Sequence, residues 1–349
     1  MASQRDLGKI HKWRVQRLRF QCYQQKEGRV RLVKRRSVAL HFSHIHHLAA
    51  CLIPKIGSTF LKKLFLSLES SDFKSHNLSK GRQMIHYLGN HLRVGSREAK
   101  VNAGHIFLVS RNPYSRLYAA YIDRVFLPAM QSYSQRIAKK NNKTKGKEVS
   151  FEEFVQDATT NLLSDRPVDF HWQPLFHMCE PCIVPYDIIV NQETFSQDIE
   201  HIISNLNVTE ELRSSVTESL YQHRASNSIK EITKEMFPLA VDPKGLFGHT
   251  FLEFCERLWE SHKIQGYIRS SFRFPVNNFK MLNHSSLNEA LNIYLHFSTV
   301  SNMTYMESEV QRSYYLYDAY KRVSRQTVIQ IQRAYYLDFI LFDYDMEPP

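Results

Sequence analysis

Between an apolar run and a leucine-rich stretch, residues 51–65 read CLIPKIGSTFLKKLF. Pro54, Lys55, Gly57, Ser58 and Thr59 stand where a strand would pass into a helix. Backbone N–H groups at such a junction lack intrahelical partners, and with the positive end of the helix dipole they favour an anion. Lys55 adds a charge, and the Ser58 and Thr59 hydroxyls add donors. The residue order disfavours a kinase or ATPase. A nucleoside triphosphate loop spaces its glycines and sets its lysine directly before the hydroxyl residue; here Lys55 precedes Gly57 and no second glycine follows. The turn alone does not say which anion it holds. No metal-ligand cluster stands out. Cys179 and Cys182 make half of a zinc pattern, but no second Cys or His pair has suitable spacing, so local structure or a disulfide explains them better.

The elements that must position this turn follow from periodicity. Residues 48–53 read as a strand and 58–68 as a helix, with Phe60, Leu61, Leu64, Phe65 and Leu68 at helical spacing. The unit returns downstream. HIFLVS at 105–110 reads as a buried strand, and RNPYSRLYAAYIDRVF at 111–126 turns at Asn112-Pro113 into an aromatic-rich helix. Two such units predict an α/β fold with a parallel sheet covered by helices. KKNNKTKGK at 139–147 is too polar to pack and reads as a mobile, solvated basic loop; a capping box from Ser150 to Glu153 ends it and opens the helix FEEFVQDATTNLL. Residues 171–195 hold a second Pro-rich turn and a strand near 186–190, with a helix expected over 196–205. Residues 206–310 contain helical stretches but no repeat and no recognisable site. QTVIQIQRAYYLDFILFDYD reads as one helix whose Ile329, Tyr336, Phe339 and Phe342 dock back on the sheet.

With 349 residues, 43% of them hydrophobic, the chain buries a large core, as one domain with insertions or as two smaller ones. A net charge of +12 predicts an acidic partner: nucleic acid, a membrane surface, a polyanionic glycan or a multiply charged nucleotide. Much of the basic surplus falls between Arg5 and Arg36, so residues 1–40 read as a solvated basic arm with at most one short helix. Five cysteines, Cys22, Cys51, Cys179, Cys182 and Cys255, fix no disulfide framework and leave one or two bridges open. Sequons at Asn77, Asn142, Asn207, Asn283 and Asn302 suit a glycosylated protein of the secretory pathway. No window approaches the ~18 to 20 apolar residues of a membrane span, and Met1 to Phe20 has no signal-peptide core. The chain as given therefore reads as soluble, and a lumenal role would place the targeting segment upstream of Met1.

IPKIGSTFLKKLF, LVSRNPYSRLYAAYIDRVF, HWQPLFHMCEPCIVPYDIIVNQET and YYLDFILFDYD, in this order, resemble the Golgi carbohydrate sulfotransferases of the chondroitin and dermatan 4-O-sulfotransferase group. The resemblance covers roughly residues 45–205 and 325–345. It implies a P-loop-like sulfotransferase fold over residues 41–349, a central parallel sheet flanked by helices, with 206–310 as a largely helical insertion. It also implies that the first turn, with Lys55, Gly57, Ser58 and Thr59, holds the 5'-phosphosulfate of 3'-phosphoadenosine 5'-phosphosulfate. The second turn, with Arg111 and Arg116, would hold the 3'-phosphate, and no metal is required. Lys55 would steady the leaving phosphate. His171, in a His-Trp-x-Pro stretch, would be the general base, with His86 and His105 as rivals among 17 histidines. One departure stands out. Ala119 occupies the last position of a pattern Arg-x-Pro-x-x-Arg-x-x-Ser, which removes a phosphate hydrogen bond.

The activity so implied is sulfate transfer to a hydroxyl of a glycan, a glycosaminoglycan or N-acetylgalactosamine-containing chain, in the Golgi lumen. The membrane would be met only through a segment missing from this chain. Ala119 motivates an alternative, a catalytically impaired glycan-binding relic of the same fold. A nucleic-acid-binding protein ranks last, because the basic runs at 5–36 and 139–147 are expected to be poor in exposed aromatics.

Overall fold

A computed structural model describes residues 4–27, 38–70, 81–221, 224–241 and 248–349. The chain divides into two compact units. The first comprises Met1–Arg116, Pro167–Leu220 and Gln332–Met346; the second comprises Leu117–Arg166, Tyr221–Ile331 and Glu347–Pro349.

The first unit is built on one five-stranded sheet. In chain order, its elements are α1 (Gln4–Glu27), β1 (Ala39–Ser43), β2 (Leu48–Cys51), α2 (Ser58–Leu68), α3 (Arg82–Asn90), β3 (Arg93–Gly95), α4 (Ser96–Asn102) and β4 (His105–Ser110). There follow α5 (Pro113–Tyr121), of which only the start to Arg116 belongs to this unit, α6 (Leu175–Cys179), β5 (Ile188–Asn191), α7 (Phe195–Ser204), a helix over Glu210–Tyr221 that ends at the unit boundary, and α8 (Tyr336–Phe342). Strand order is β3-β1-β2-β4-β5. β2, β4 and β5 run parallel, as the repeated strand-turn-helix pattern requires. The sheet is nevertheless mixed: β1 pairs antiparallel with both β2 and β3. Strands buried on both faces carry continuous apolar runs, and Ala49, Ala50, Phe107, Leu108, Val109 and Val190 are fully buried.

The expected solvated arm needs correction. Over its described part, residues 4–27, it is a single 24-residue helix whose Val15, Leu18 and Cys22 join the core of the first unit. Arg14 is not solvated either. It donates to Asp198 Oδ2 at 2.7 Å and to the Ile189 carbonyl at 3.0 Å, fastening α1 to the end of β5. The opposite face of α1 exposes Trp13, Phe20 and Tyr23 between Lys9, Lys12 and Arg19. The basic run is thus not poor in exposed aromatics. Residues 28–37 of the arm lie outside the described residues, as does the sequon at Asn77.

The spare cysteine count resolves into two bridges, Cys22–Cys182 and Cys51–Cys179, with Cys255 free and buried. They close segments with sequence separations of 160 and 128. Chain entropy makes such long loops worth about 4 to 5 kcal/mol each in the loop-closure picture.

The second unit is helical, with Phe237, Phe254, Trp259, Phe279 and Tyr294 in its core. The 206–310 segment is divided: residues 206–220 belong to the first unit, while its described residues from Tyr221 on are largely helical and share the second unit with residues 117–166. The capping box is present: the Glu153 N–H donates to Ser150 Oγ at 3.3 Å, and the Glu153 carboxylate accepts from the Ser150 N–H at 2.8 Å. The basic loop before it is tied down. Lys143 reaches Glu153 at 2.7 Å and Lys147 reaches Glu253 at 3.1 Å. The sequon asparagines Asn142, Asn207, Asn283 and Asn302 are all exposed, each just outside a helix. Among the described residues no helix is long and apolar enough to cross a membrane.

Candidate functional site

Parallel strands present their carboxyl ends on one side of a sheet, and the loops leaving that edge form the crevice in open α/β folds. β2 leaves it through residues 52–57 and β4 through Arg111 and Asn112. In the first turn Lys55 has φ 71° and Gly57 φ 81°, both left-handed. Glycine is required at 57 on two counts. The φ is unfavourable for other residues, and a Cβ there would come to 3.1 Å from the Phe195 ring. Gly57 then caps α2 with its own carbonyl, which accepts from the Leu61 N–H at 3.1 Å. The cap offers no side-chain acceptor and the first turn of α2 has no acidic residue, so the helix start is electropositive.

The second turn is shaped by Asn112, whose side-chain oxygen accepts from the Tyr114 N–H at 2.9 Å, while Pro113 takes the first helical position of α5. The Asn112 backbone N–H donates to the Glu193 carboxylate at 3.3 Å, just past β5. Arg111 spans the two turns: Nη1 donates to the Lys55 carbonyl at 2.6 Å and Nε to Ser115 Oγ at 2.9 Å. Arg116 also reaches the first turn, but from inside. It is 2% exposed, and its Nε donates to the Pro54 carbonyl at 3.3 Å and its Nη1 to the Gln173 carbonyl at 2.6 Å. Burial pulls its pKa down from the ordinary arginine value, against the opposing influence of the Tyr335 hydroxyl and the Asp338 carboxylate nearby.

Asp338 is the acidic centre of this framework. Its carboxylate accepts from the Leu175 N–H at 2.7 Å and the Phe176 N–H at 2.8 Å, capping α6. Burial raises its pKa to about 6, against the pull of those two bonds and of Arg116. Tyr335 donates its hydroxyl to the Trp172 carbonyl, so the chain end holds the His-Trp-x-Pro segment from both sides. The Cys51–Cys179 bridge ties the end of β2 to the end of α6.

The candidate histidines fall in different places. His171 is 8% exposed, and its Nδ1 lies 2.5 Å from Asp169 Oδ1, which also accepts from the His171 N–H at 2.9 Å. An imidazole that gives its Nδ1 proton to a carboxylate presents Nε2 as the basic nitrogen. His86, on α3, sits with Nε2 at 3.2 Å from Thr59 Oγ1, at the first turn. His105 begins β4, six residues from the turn at the other end of the strand, or roughly 20 Å at ~3.3 Å per residue. Its ring meets Asp187 at 2.6 Å, at the other end of the strands, so the structure does not bring it to the two turns. Ala119 lies on α5 and is half-buried.

Lys55, Gly57, Ser58, Thr59 and Arg111 are thus brought to one sheet edge, with Arg116 beneath them. Ser115, Asp169, Glu193 and Asp338 were not singled out from the sequence. Asp169 stands two residues before His171 and was open to a search for carboxylates beside the candidate base; Asp338 lies within the fourth matching segment. Among the described residues, no group of three or more His, Cys, Asp or Glu side chains is placed to hold a metal ion.

Comparison of the sequence with known proteins identifies the family. The sequence model of the sulfotransferase family matches residues 39–244, more than half of the chain. Carbohydrate sulfotransferase 11 of Rattus norvegicus is 28% identical over 178 residues, covering 45% of this chain and 50% of that protein. Carbohydrate sulfotransferase 9 of Homo sapiens is 27% identical, covering 48% and 41%. Carbohydrate sulfotransferase 14 of Danio rerio is 24% identical, covering 60% and 63%. The chain spans about half the length of the curated relatives it matches. No solved structure matches it.

Proposed function

The chain belongs to the sulfotransferase family, and from that premise we propose that it transfers sulfate from 3'-phosphoadenosine 5'-phosphosulfate to a hydroxyl of a glycan, a glycosaminoglycan or N-acetylgalactosamine-containing chain. The observation that carries this reading is the pair of turns at the carboxyl ends of adjacent parallel strands, joined by Arg111 to the Lys55 carbonyl. In the transfer the acceptor oxygen forms a bond to sulfur as the bond from sulfur to the 5'-phosphate oxygen breaks. The acceptor proton passes to His171 Nε2, which Asp169 orients. Charge gathers on the departing phosphate. Lys55 and the N–H groups at the start of α2 stabilise it there, where a positioned donor acts on the transition state more than on the ground state. Arg111 serves the 3'-phosphate, for which its planar guanidinium is suited.

Arg116 receives a different role from the one the resemblance implied. Its N–H groups are directed at main-chain carbonyls of the first turn and the His-Trp-x-Pro segment, so it braces the site and does not bind the nucleotide. A Golgi-lumen location is supported by the two disulfides and by the exposed sequon asparagines. A second reading, a glycan-binding relic, rests on Ala119.

Incubation with the sulfate donor and desulfated glycosaminoglycans separates the two readings, since only an enzyme labels the acceptor. Lys55→Ala should then lower turnover by about 10² or more with a much smaller loss in affinity for 3'-phosphoadenosine 5'-phosphate. Equal losses in both would deny Lys55 its transition-state role.

A further inference from the structure

Beside the first turn lies a polar group that the reaction described above does not use. Lys62, one helical turn beyond Ser58, is only 7% exposed. Its ammonium is 3.0 Å from His86 Nδ1 and 3.3 Å from Asn90 Oδ1. Room for it is built into α3. A Cβ on Gly89 would come to 3.1 Å from Lys62 Cβ, Cγ and Cδ, so the stem of the lysine lies directly against a glycine backbone. Resting on the sulfate-donor reading, we propose that Lys62 and His86 are positioning residues that set the Thr59 hydroxyl as a hydrogen-bond donor to the phosphosulfate end of the nucleotide.

The argument is a chain of donors. An ammonium has three N–H groups and no lone pair, so His86 Nδ1 must accept from Lys62. A neutral imidazole that accepts at Nδ1 carries its proton on Nε2. That nitrogen is 3.2 Å from Thr59 Oγ1, so Nε2–H donates and the threonine oxygen accepts. The hydroxyl hydrogen of Thr59 is then directed away from His86, with polarity fixed before any ligand arrives. Thr59 is the second residue of α2, where the backbone N–H groups face the same anion. A donor whose hydrogen already points outward costs no reorganisation when charge develops on the phosphate.

The charges around Lys62 are consistent with this polarity. Burial, with Arg93 on β3 beside it, brings its pKa down to about 8, so it remains an ammonium at pH 7. His41 on β1 is pushed to about 3, chiefly by burial and by the charges of Lys62 and Arg93, and therefore adds no competing cation. A lysine buried only for packing needs no particular tautomer of its neighbour.

The test uses titration with 3'-phosphoadenosine 5'-phosphate and a double-mutant cycle. Thr59→Val should weaken binding about tenfold, and Thr59→Ser, which keeps the hydroxyl, should restore it and control for folding. His86→Phe should cost several-fold alone but nothing further in the Thr59→Val background, because both act through one hydroxyl. The ¹⁵N shifts of His86 should report the Nε2–H tautomer in the wild type and a mixture in Lys62→Met. Additive losses in the cycle, or an Nδ1–H tautomer in the wild type, would overturn the proposal. A wild type that binds the nucleotide while Thr59→Val and His86→Phe leave the affinity unchanged refutes this inference alone; a wild type with no saturable binding refutes it together with the sulfate-donor reading.

Discussion

Replacing Arg116 by methionine distinguishes a brace from a ligand contact. The methionine keeps most of the side-chain volume and removes every donor. The Pro54 and Gln173 main-chain carbonyls then lose a charged partner at 3.3 and 2.6 Å, and the Phe170 carbonyl a weaker one at 3.5 Å, in a site where the arginine is 2% exposed. An acceptor left unpaired in a buried place costs about 1 to 3 kcal/mol. Asp338 loses its neighbouring cation as well, which adds to the cost if it stays ionised. The Pro54 and Gln173 carbonyls alone then cost about 2 to 6 kcal/mol, a large part of the ~5 to 15 kcal/mol that holds a domain folded.

Arg111→Met is the matched control. Arg111 is half-buried and donates to the Lys55 carbonyl and to Ser115 Oγ, both at the rim of the site, so its removal should cost about 1 to 2 kcal/mol of stability while lowering nucleotide affinity at least tenfold. Urea unfolding followed by near-ultraviolet circular dichroism, with nucleotide titration of each variant below its transition, gives both numbers. Arg116→Met should be destabilised severely and, where still folded, bind with nearly normal affinity. A variant of wild-type stability that has lost the nucleotide would refute the reasoning and return Arg116 to the ligand.

The remaining predictions concern the same framework and its surroundings. Asp338 has its pKa raised to about 6 from 3.8, so the folded state holds its proton more tightly than the unfolded state; stability is fully present below about pH 4 and falls by about 3 kcal/mol as pH rises through 6. Asp338→Asn should flatten that part of the stability profile, measured by urea unfolding between pH 4 and 7, and an unchanged slope would place the titration elsewhere. His171→Ala should abolish sulfate transfer with nucleotide affinity kept, and Asp169→Asn should reduce transfer less severely by releasing the tautomer; an active His171→Ala protein moves the base to another residue. Expressed through a secretory pathway, the protein should lose mass on treatment with an amide-cleaving glycosidase, in steps removed one by one by Asn→Gln at Asn142, Asn207, Asn283 and Asn302.

What was legible in the sequence was what depends on neighbours in the chain. β2, β4 and α2 fell within a few residues of their observed ends, because strands buried on both faces and a helix with an apolar stripe carry their signal locally. β1 and β3 were not seen. Their five and three residues, ALHFS and RVG, are too short for a period to show, and they gain their conformation by pairing with each other. The last helix was expected to be continuous, yet it breaks before α8, at Tyr335, whose side chain is held on the Trp172 carbonyl. α1 misled for a related reason. Its charged residues look solvated in any window, and the partner that buries Arg14 is Asp198, 184 residues away. The disulfide pairing has the same character, since spacing alone does not choose among five cysteines.

The site divides along the same line. Lys55, Gly57 and Arg111 declare themselves because a turn between strand and helix is a local object. The residues that hold the turn do not. Lys55 is a non-glycine residue at φ 71°, a conformation that costs on the order of 1 kcal/mol or more and persists only where the surroundings over-determine it. Those surroundings are visible only in three dimensions. Arg116 takes the Pro54 carbonyl, Arg111 takes the Lys55 carbonyl, Phe195 leaves room only for glycine at 57, and the Cys51–Cys179 bridge fixes the strand end three residues upstream of Pro54. These holds come from three parts of the chain, the second turn with the start of α5, the start of α7 and the end of α6, so the strain is met by several contacts and the N–H groups of the turn are fixed in direction by the protein itself. In the proposed sulfate transfer, a turn held in that way would contribute orientation before the donor arrives, which is where a reaction that must align two substrates has most to gain.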